Sequence, residues 1–400
     1  TGRPRPVEIE IPPDILATVA DLEILEPSSI SRPAADSKGI SDAFELLLTA
    51  KRPVIYAGGG VNLGDAASEL TEFAELLNCP VITTTEGRGA IPDEHALSMG
   101  ISRSFGTTSV AGDVISQADV ILAVGTRFQD ALTADWAPQS PQKVIRLDID
   151  PEEMLRISEP TVSLVGDAKA TLEKLMQALK IAKLESSWSP EELSNLKKAA
   201  IASVLDALPR HAPIYEELRK SIGDEAIVLS GVTGLAYASG NALPVNKPNS
   251  WITSSYMGTL GYEFCTALGA KVGNPDRPVV AMIGDGGFMY SVGELATAVQ
   301  YGINLVAIVY NNHAFGASNN DQRTRYEGRV IGTELHNPNF VQLAESFGAR
   351  GMHVENLEGL PAAVKDAIAG DRPTIVEVNV PTGEMPVNLY GLPFQEPRRR

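Results

Sequence analysis

Cysteines, basic runs and long apolar runs are all scarce in this chain. Two cysteines, Cys79 and Cys265, cannot build a disulfide framework, and neither sits in a C-x-x-C pair. Buried thiols in a reducing compartment, and hence a cytoplasmic location, are expected. No apolar run reaches the roughly 18 residues of a membrane span, and no charged-then-apolar signal segment opens the chain. The only basic run is Arg398–Arg400, and the net charge is −17 with a pI near 4.8. That balance excludes a nucleic-acid surface or an anionic-membrane surface, both of which need basic patches. The chain begins at Thr1, so a processed or partial chain is expected.

What is present is an ordinary globular composition, 44% hydrophobic and 21% charged over 400 residues, enough for two or three domains. A strand-like run, Pro53–Ala57, leads into Gly58-Gly59-Gly60. A helical pattern then places Leu70, Phe73, Ala74 and Leu77 on one face. Further apolar runs follow at Pro80–Thr84, Asp119–Gly125 and Val144–Ile149. Short strands alternating with helices mean a parallel sheet covered on both faces. After the polar stretch "LESSWSPEELSN", with Ser189 as helix cap before Pro190, strands resume at Ala226–Leu229, Val279–Ile283, Ile303–Tyr310 and Thr374–Val380. The expected fold class is therefore α/β, with two doubly wound parallel-sheet domains. The limits are a connector at 1–35, a central domain at 36–183, a linker at 184–196, a second domain at 197–390 and a tail at 391–400. The connector is expected to hold a strand, Val7–Ile11, closed by Pro12-Pro13.

Two short pieces carry the chemistry: "IGDGGF" at Ile283–Phe288 and "VYNN" at Val309–Asn312. The chain between them is what one helix and one strand of a βαβ unit require. Asp285 and Asn312 are thus expected at the carboxyl ends of neighbouring parallel strands, the edge where open α/β sheets bind ligands. A carboxylate, an amide oxygen and a backbone carbonyl are hard ligands that suit Mg²⁺. Gly284, Gly286 and Gly287 would let a phosphate approach the backbone at a helix start. A GDG or an NN alone is a common turn. Together, at strand ends, they specify a metal-bridged diphosphate site.

These motifs resemble the thiamine diphosphate enzymes of the acetolactate synthase, pyruvate oxidase and benzoylformate decarboxylase group. The resemblance extends through "MGTLGYEFCTALGAKVGNPDRPVVAMIGDGGF" and "NPNFVQLAESFGARG", and through "KRPVIYAGGG", "GTRFQDALT" and "LDIDPEE" in the central part. It implies thiamine diphosphate and Mg²⁺ as cofactors, with Asp285, Asn312 and the carbonyl of Ala314 as metal ligands. Phe315 and Gly316 follow in the same cofactor-binding loop. It also implies that Leu260 wedges the two cofactor rings into a V, and that the Gly258 carbonyl accepts a hydrogen bond from the 4′-amino group. By itself Leu260 would be an ordinary core leucine. The glutamate that faces the pyrimidine lies, in that family, on a separate N-terminal domain. A chain supplying that domain is therefore an implied partner, within a homo- or hetero-oligomer acting on a small molecule.

Three departures bear on the substrate. Glu263-Phe264-Cys265 stands where relatives read G-L-P, Gln129–Thr133 lacks the arginine of a D-D-R-[VI]-T run, and Ala317–Asp321 lacks an M-x-W. The implied activity is decarboxylation, or C–C ligation or lysis, of a 2-oxo acid or 2-hydroxy carbonyl compound. His313 would face the substrate as an acid or base, or else point to water. His95 and His336 are surface residues in polar loops. The glycines at 58–60 and Gly64 resemble a nucleotide loop, and relatives either bind FAD or an adenine nucleotide there or leave the domain empty. Two other functions are open: a non-catalytic cofactor-binding or regulatory subunit, and a nucleotide-dependent dehydrogenase resting on the glycine cluster alone.

Overall fold

The computed structural model describes residues 2–27, 30–102, 110–128, 142–156, 159–180, 187–254 and 257–381. The run Gln129–Thr133, the start of the stretch 184–196 and the tail 391–400 lie outside the described residues. Two six-stranded parallel sheets organise the chain. The first contains β1 (Pro53–Ala57), β2 (Val81–Thr83), β3 (Ser98–Ile101), β4 (Val120–Val124), β5 (Lys143–Asp148) and β6 (Val162–Val165), in the order β3-β2-β1-β4-β5-β6. The second contains β7 (Ile227–Ser230), β8 (Trp251–Thr253), β9 (Val279–Gly284), β10 (Val306–Asn311), β11 (Arg350–Val354) and β12 (Thr374–Asn379), in the order β11-β12-β10-β9-β7-β8.

The strands are continuous apolar runs because helices cover both faces. Every residue of β1, β4 and β7 is buried. Leu70, Phe73, Ala74 and Leu77 form the buried face of helix Ala67–Leu77, as their spacing requires, and Asn78 ends that helix in the left-handed region. Asp36 caps the helix Ser37–Thr49 by accepting from the N–H of Gly39 at 3.0 Å. The first sheet carries one core, and the second carries one on each face.

In each sheet the chain winds outward from a central strand, then crosses to its other side. The reversal falls between β1 and β4 in the first sheet and between β7 and β9 in the second. Such switch points open a crevice at the carboxyl edge.

Three expectations need correction. Of the two thiols expected to be buried, Cys79 is, whereas Cys265 on helix Tyr262–Gly273 is exposed. Val7–Ile11 forms no strand: the segment is coil, Val7 and Ile9 are exposed, and Pro13 begins a short helix, Pro13–Leu16. An alternating pattern becomes a strand only beside another edge, and the first sheet ends at β3 and β6 without it. The segment is held instead by Arg3 on Glu153 (2.9 Å) and Arg5 on Asp150 (2.8 Å). The boundary drawn at 196 also falls inside one helix, Pro190–Ala207, which Ser189 does cap by accepting from the N–H of Glu192. The residue before that cap, Trp188, is buried in the first core.

Candidate functional site

β9 and β10 pair in parallel with Tyr310 opposite Gly284. The next residues, Asp285 and Asn311, therefore emerge level with each other, and Asn312 lies one step beyond. Asp285 and Asn312 are 2% and 4% exposed, so both polar groups are sunk into the sheet edge. The helical connection between β9 and β10 is broken into short pieces, and its first helix starts directly at the strand's end. Gly284 is its extended N-cap, and Asp285 opens the helix Asp285–Ser291. A 3₁₀ turn, Val292–Glu294, separates this from helix Leu295–Gln300. An acid in the first turn is favoured by the helix dipole.

Asp285 Oδ1 accepts from the N–H of Gly286 at 3.0 Å, and Oδ2 accepts from Asn337 Nδ2 at 2.7 Å. Burial pushes this carboxyl group above its ordinary pKa, while Asn337, the Gly286 N–H and His313 pull it back. A carboxylate held in this way is one that a cation would relieve. Asn312 Oδ1 accepts from the N–H of Ala314 at 3.2 Å. Ala314 is fixed by an antiparallel bridge to Glu334, flanked by Leu335 N–H to His313 O and Phe315 N–H to Thr333 O, both 2.8 Å. One carboxylate, one amide oxygen and one main-chain carbonyl thus share this edge, a donor set of hard oxygens that fits Mg²⁺. His313 is exposed and holds a left-handed backbone (φ 52°) at the turn out of β10.

The glycines divide in purpose. A side chain at Gly286 would meet the Phe315 ring at 2.6 Å and Leu335 at 3.0 Å. Its smallness makes room for Phe315, a different cause from the phosphate approach expected for it. Gly258 and Gly261 take left-handed conformations (φ 59° and 82°), and a side chain at Gly261 would meet Tyr290 Cβ at 2.7 Å and Gly287 O at 3.0 Å. The loop carrying Leu260 is therefore pressed against the helix that Asp285 opens. Leu260 is half-buried and belongs to neither core of this sheet, so the core-leucine alternative does not hold. Gly316 opens the helix Gly316–Arg325 behind Phe315.

Glu263, one of the departures, fills the switch point between β7 and β9. It is 1% exposed, and Oε1 accepts from the N–H of Val232 at 3.0 Å, just past β7. Oε2 has no hydrogen-bond partner among the described residues and lies near Gly287. Burial raises its pKa. A raised carboxyl pKa means the folded chain binds that proton more tightly than the unfolded chain. Its contribution is most favourable below the ordinary carboxylate range and is lost as pH rises through the raised value. Glu263→Gln should flatten this part of the profile, so the unfolding midpoint of the variant should gain on the parent as pH rises from 4 upward. Parallel pH dependence in the two proteins would refute the assignment.

In the first sheet, the glycine cluster is explained by packing. A side chain at Gly58 would lie 2.3 Å from Gly125 O, and one at Gly60 would lie 2.6 Å from Gly125 Cα. These glycines let the turns after β1 and β4 touch. They give no independent support to a dinucleotide, and the dehydrogenase alternative loses its only foundation. His95 pairs with Glu75 at the surface.

Sequence comparison bears on the same edge. Residues 232–378 match the family model of the thiamine pyrophosphate enzyme C-terminal TPP binding domain, and residues 40–175 match that of the central domain. The acetolactate synthase large subunit of Haemophilus influenzae is 32% identical over 408 residues, covering 98% of this chain and 71% of that protein. The chain belongs to the thiamine pyrophosphate enzyme family. The acetolactate synthase large subunit of Corynebacterium glutamicum is 36% identical over 396 residues, covering 94% of this chain and 63% of its own length. The probable acetolactate synthase large subunit of Methanocaldococcus jannaschii is 32% identical over 407 residues, with 96% and 68% covered. The chain thus spans about two thirds of these relatives, 63% to 71%. Among the described residues, no helix is long and apolar enough to cross a membrane.

Three polar residues at this edge were not singled out in the sequence. Asn337 donates to both Asp285 and Asn311, and Asn311 donates to Glu377 on β12. Asn337 is followed by Pro338, and an Asn-Pro pair reads as a turn. Asn311 is the first half of the NN pair, and the pair alone does not show which way each side chain turns.

Proposed function

We propose that this chain is the diphosphate-binding part of an acetolactate synthase-like enzyme that uses thiamine diphosphate and Mg²⁺ to decarboxylate, join or cleave a 2-oxo acid or 2-hydroxy carbonyl compound. The observation that carries this is the pair of buried oxygen donors, Asp285 and Asn312, at the ends of adjacent strands inside the segment matching the TPP binding domain. Asp285, Asn312 and the Ala314 carbonyl would hold Mg²⁺, and the metal would neutralise the diphosphate beside Gly284–Gly287, with Phe315 and Gly316 closing the same loop. When bound, the cofactor supplies a nucleophilic carbon that takes up the acyl group. Leu260, on its glycine-flanked loop, would be the side chain wedged between the two cofactor rings, and the Gly258 carbonyl would accept from the 4′-amino group. His313, exposed beside Asp285, is the acid or base candidate.

The relatives are half as long again, which supports a partner or further segment supplying the pyrimidine-binding domain and its glutamate, within an oligomer. Two domains are proposed, 36–183 and 197–390, each with its own sheet, with the boundary between them crossed by the helix Pro190–Ala207. FAD or an adenine nucleotide in the central domain remains outside the proposal, and a cytoplasmic location is consistent with the thiol count. The test is calorimetric titration of thiamine diphosphate with and without Mg²⁺. Binding that ignores Mg²⁺ would remove the metal from the scheme. Pyruvate turnover after addition of a pyrimidine-domain chain separates this enzyme from a non-catalytic subunit. No turnover despite tight, metal-dependent binding would favour the latter.

Leu260→Ala should lower turnover of the completed enzyme while thiamine diphosphate still binds. Because Leu260 is only half-buried, the cost in stability should stay below the roughly 2–5 kcal/mol of a core leucine. Unchanged turnover at saturating cofactor would refute its role as the wedge.

A further inference from the structure

We infer that Asn337 is the positioning residue that sets the orientation of Asp285, as the last link before it in a polar chain that runs from β11 to the end of β9. This rests on the assignment of Asp285 as a metal ligand. Asn337 lies in the loop before helix Phe340–Phe347, outside the GDG and NN motifs. Its Nδ2 donates at 2.7 Å to Asp285 Oδ2 and at 2.8 Å to Asn311 Oδ1. Both amide hydrogens are thereby used, which fixes the amide orientation. Turned over, its oxygen would face a carboxylate oxygen and an amide oxygen, a repulsive contact on both sides.

The chain continues outward. Asn311 Nδ2 donates at 2.8 Å to Glu377 Oε1, and the Asn311 oxygen also accepts from the peptide N–H of His313 at 3.3 Å. The other Glu377 oxygen lies 3.7 Å from His353 Nδ1 on β11. Since β11, β12, β10 and β9 are consecutive neighbours, the links follow the sheet order from His353 to Asp285. The two asparagines of the motif therefore divide the work. Asn312 Oδ1, which accepts from the Ala314 N–H, would be the one to meet the metal, whereas Asn311 bonds Glu377 and Asn337.

The consequence is geometric. Asn337 holds one lone pair of Oδ2 at 2.7 Å, and so fixes which way the carboxylate turns its remaining lone pairs. Partners of this kind, which touch a ligand rather than the metal, commonly govern about 10–100-fold in metal affinity.

The test is Mg²⁺ titration of the whole chain in the presence of thiamine diphosphate, comparing the parent with Asn337→Ala, Asn337→Leu and Asn337→Gln. Asn337→Ala should weaken Mg²⁺ about tenfold or more, while the metal-free unfolding midpoint moves little. Asn337→Leu, of similar size but without a donor, should lose as much, and it decides the matter should Asn337→Ala fold poorly. Asn337→Gln keeps the donating amide and should recover part of the affinity, a rescue that a merely structural role would not give. Unchanged Mg²⁺ affinity in Asn337→Ala and Asn337→Leu, or no recovery in Asn337→Gln, would overturn the proposal. Absence of Mg²⁺-dependent binding in the parent would instead overturn the metal assignment of Asp285 on which it stands.

Discussion

Asp285→Ala is expected to abolish Mg²⁺-dependent binding of thiamine diphosphate. Asp285 is the one anionic donor in the proposed set, and it is 2% exposed, so water would not replace it readily. Loss of an outer partner costs about 10–100-fold in affinity, and loss of the charged ligand itself should exceed that range. Asn312→Ala removes a neutral oxygen and should cost less. Asp285→Asn separates charge from shape: it preserves the size of the side chain and one oxygen but removes the charge, and should lose binding nearly as fully as the alanine. The metal-free fold should survive these changes, because burial already disfavours the ionised carboxylate. Calorimetry with and without Mg²⁺ checks this directly. An Asp285→Ala chain that binds the cofactor as tightly as the parent would end the metal assignment.

Both sheets and the placement of Asp285 and Asn312 were legible in the sequence for one physical reason. Parallel strands buried on both faces are uninterrupted apolar runs, and in a βαβ unit the polar residue that ends such a run must appear at the carboxyl edge. What was not legible depends on contacts between distant segments. Asn337 reaches Asp285 across 52 positions of chain, and nothing in its own neighbourhood distinguishes it from a turn asparagine. The glycines at 58–60 read as a phosphate loop because local pattern cannot show that Gly125 lies against them. The strand expected at Val7–Ile11 failed for the converse reason: alternation states which face is apolar, but not whether an edge exists to receive it. Gly286 shows the same limit at the site itself. Its position in the motif was evident, whereas the Phe315 ring that requires it comes from beyond β10.

The stretch between the two sheets leads to the last prediction. Its polarity suggested a linker, and an average over "LESSWSPEELSN" hides its tryptophan. Trp188 is 1% exposed and lies in the first core. Its indole N–H donates to Pro53 O at 2.9 Å, and the Arg52 guanidinium stacks 3.6 Å above the ring. Asn78 donates to its carbonyl at 2.9 Å, and Arg52 pairs with Glu192 at 2.6 Å in the helix that follows. The chain entering the second sheet is thus clamped to the start of β1. Trp188→Ala should therefore destabilise the first sheet by about 3–5 kcal/mol, the cost of emptying a packed aromatic site. Ser189→Ala, next to it, removes only the helix cap and should cost about 0.5–2 kcal/mol. Denaturant unfolding of the two variants beside the parent checks the difference, and equal small losses would mean that the segment is a tether with the tryptophan resting on it. The comparison also carries a functional consequence. The proposed Mg²⁺ and diphosphate site lies wholly in the second sheet, so Trp188→Ala should leave cofactor affinity near that of the parent at temperatures where both sheets are folded. A loss of affinity without unfolding would show that the clamp sets the second sheet's site as well as the first sheet's stability.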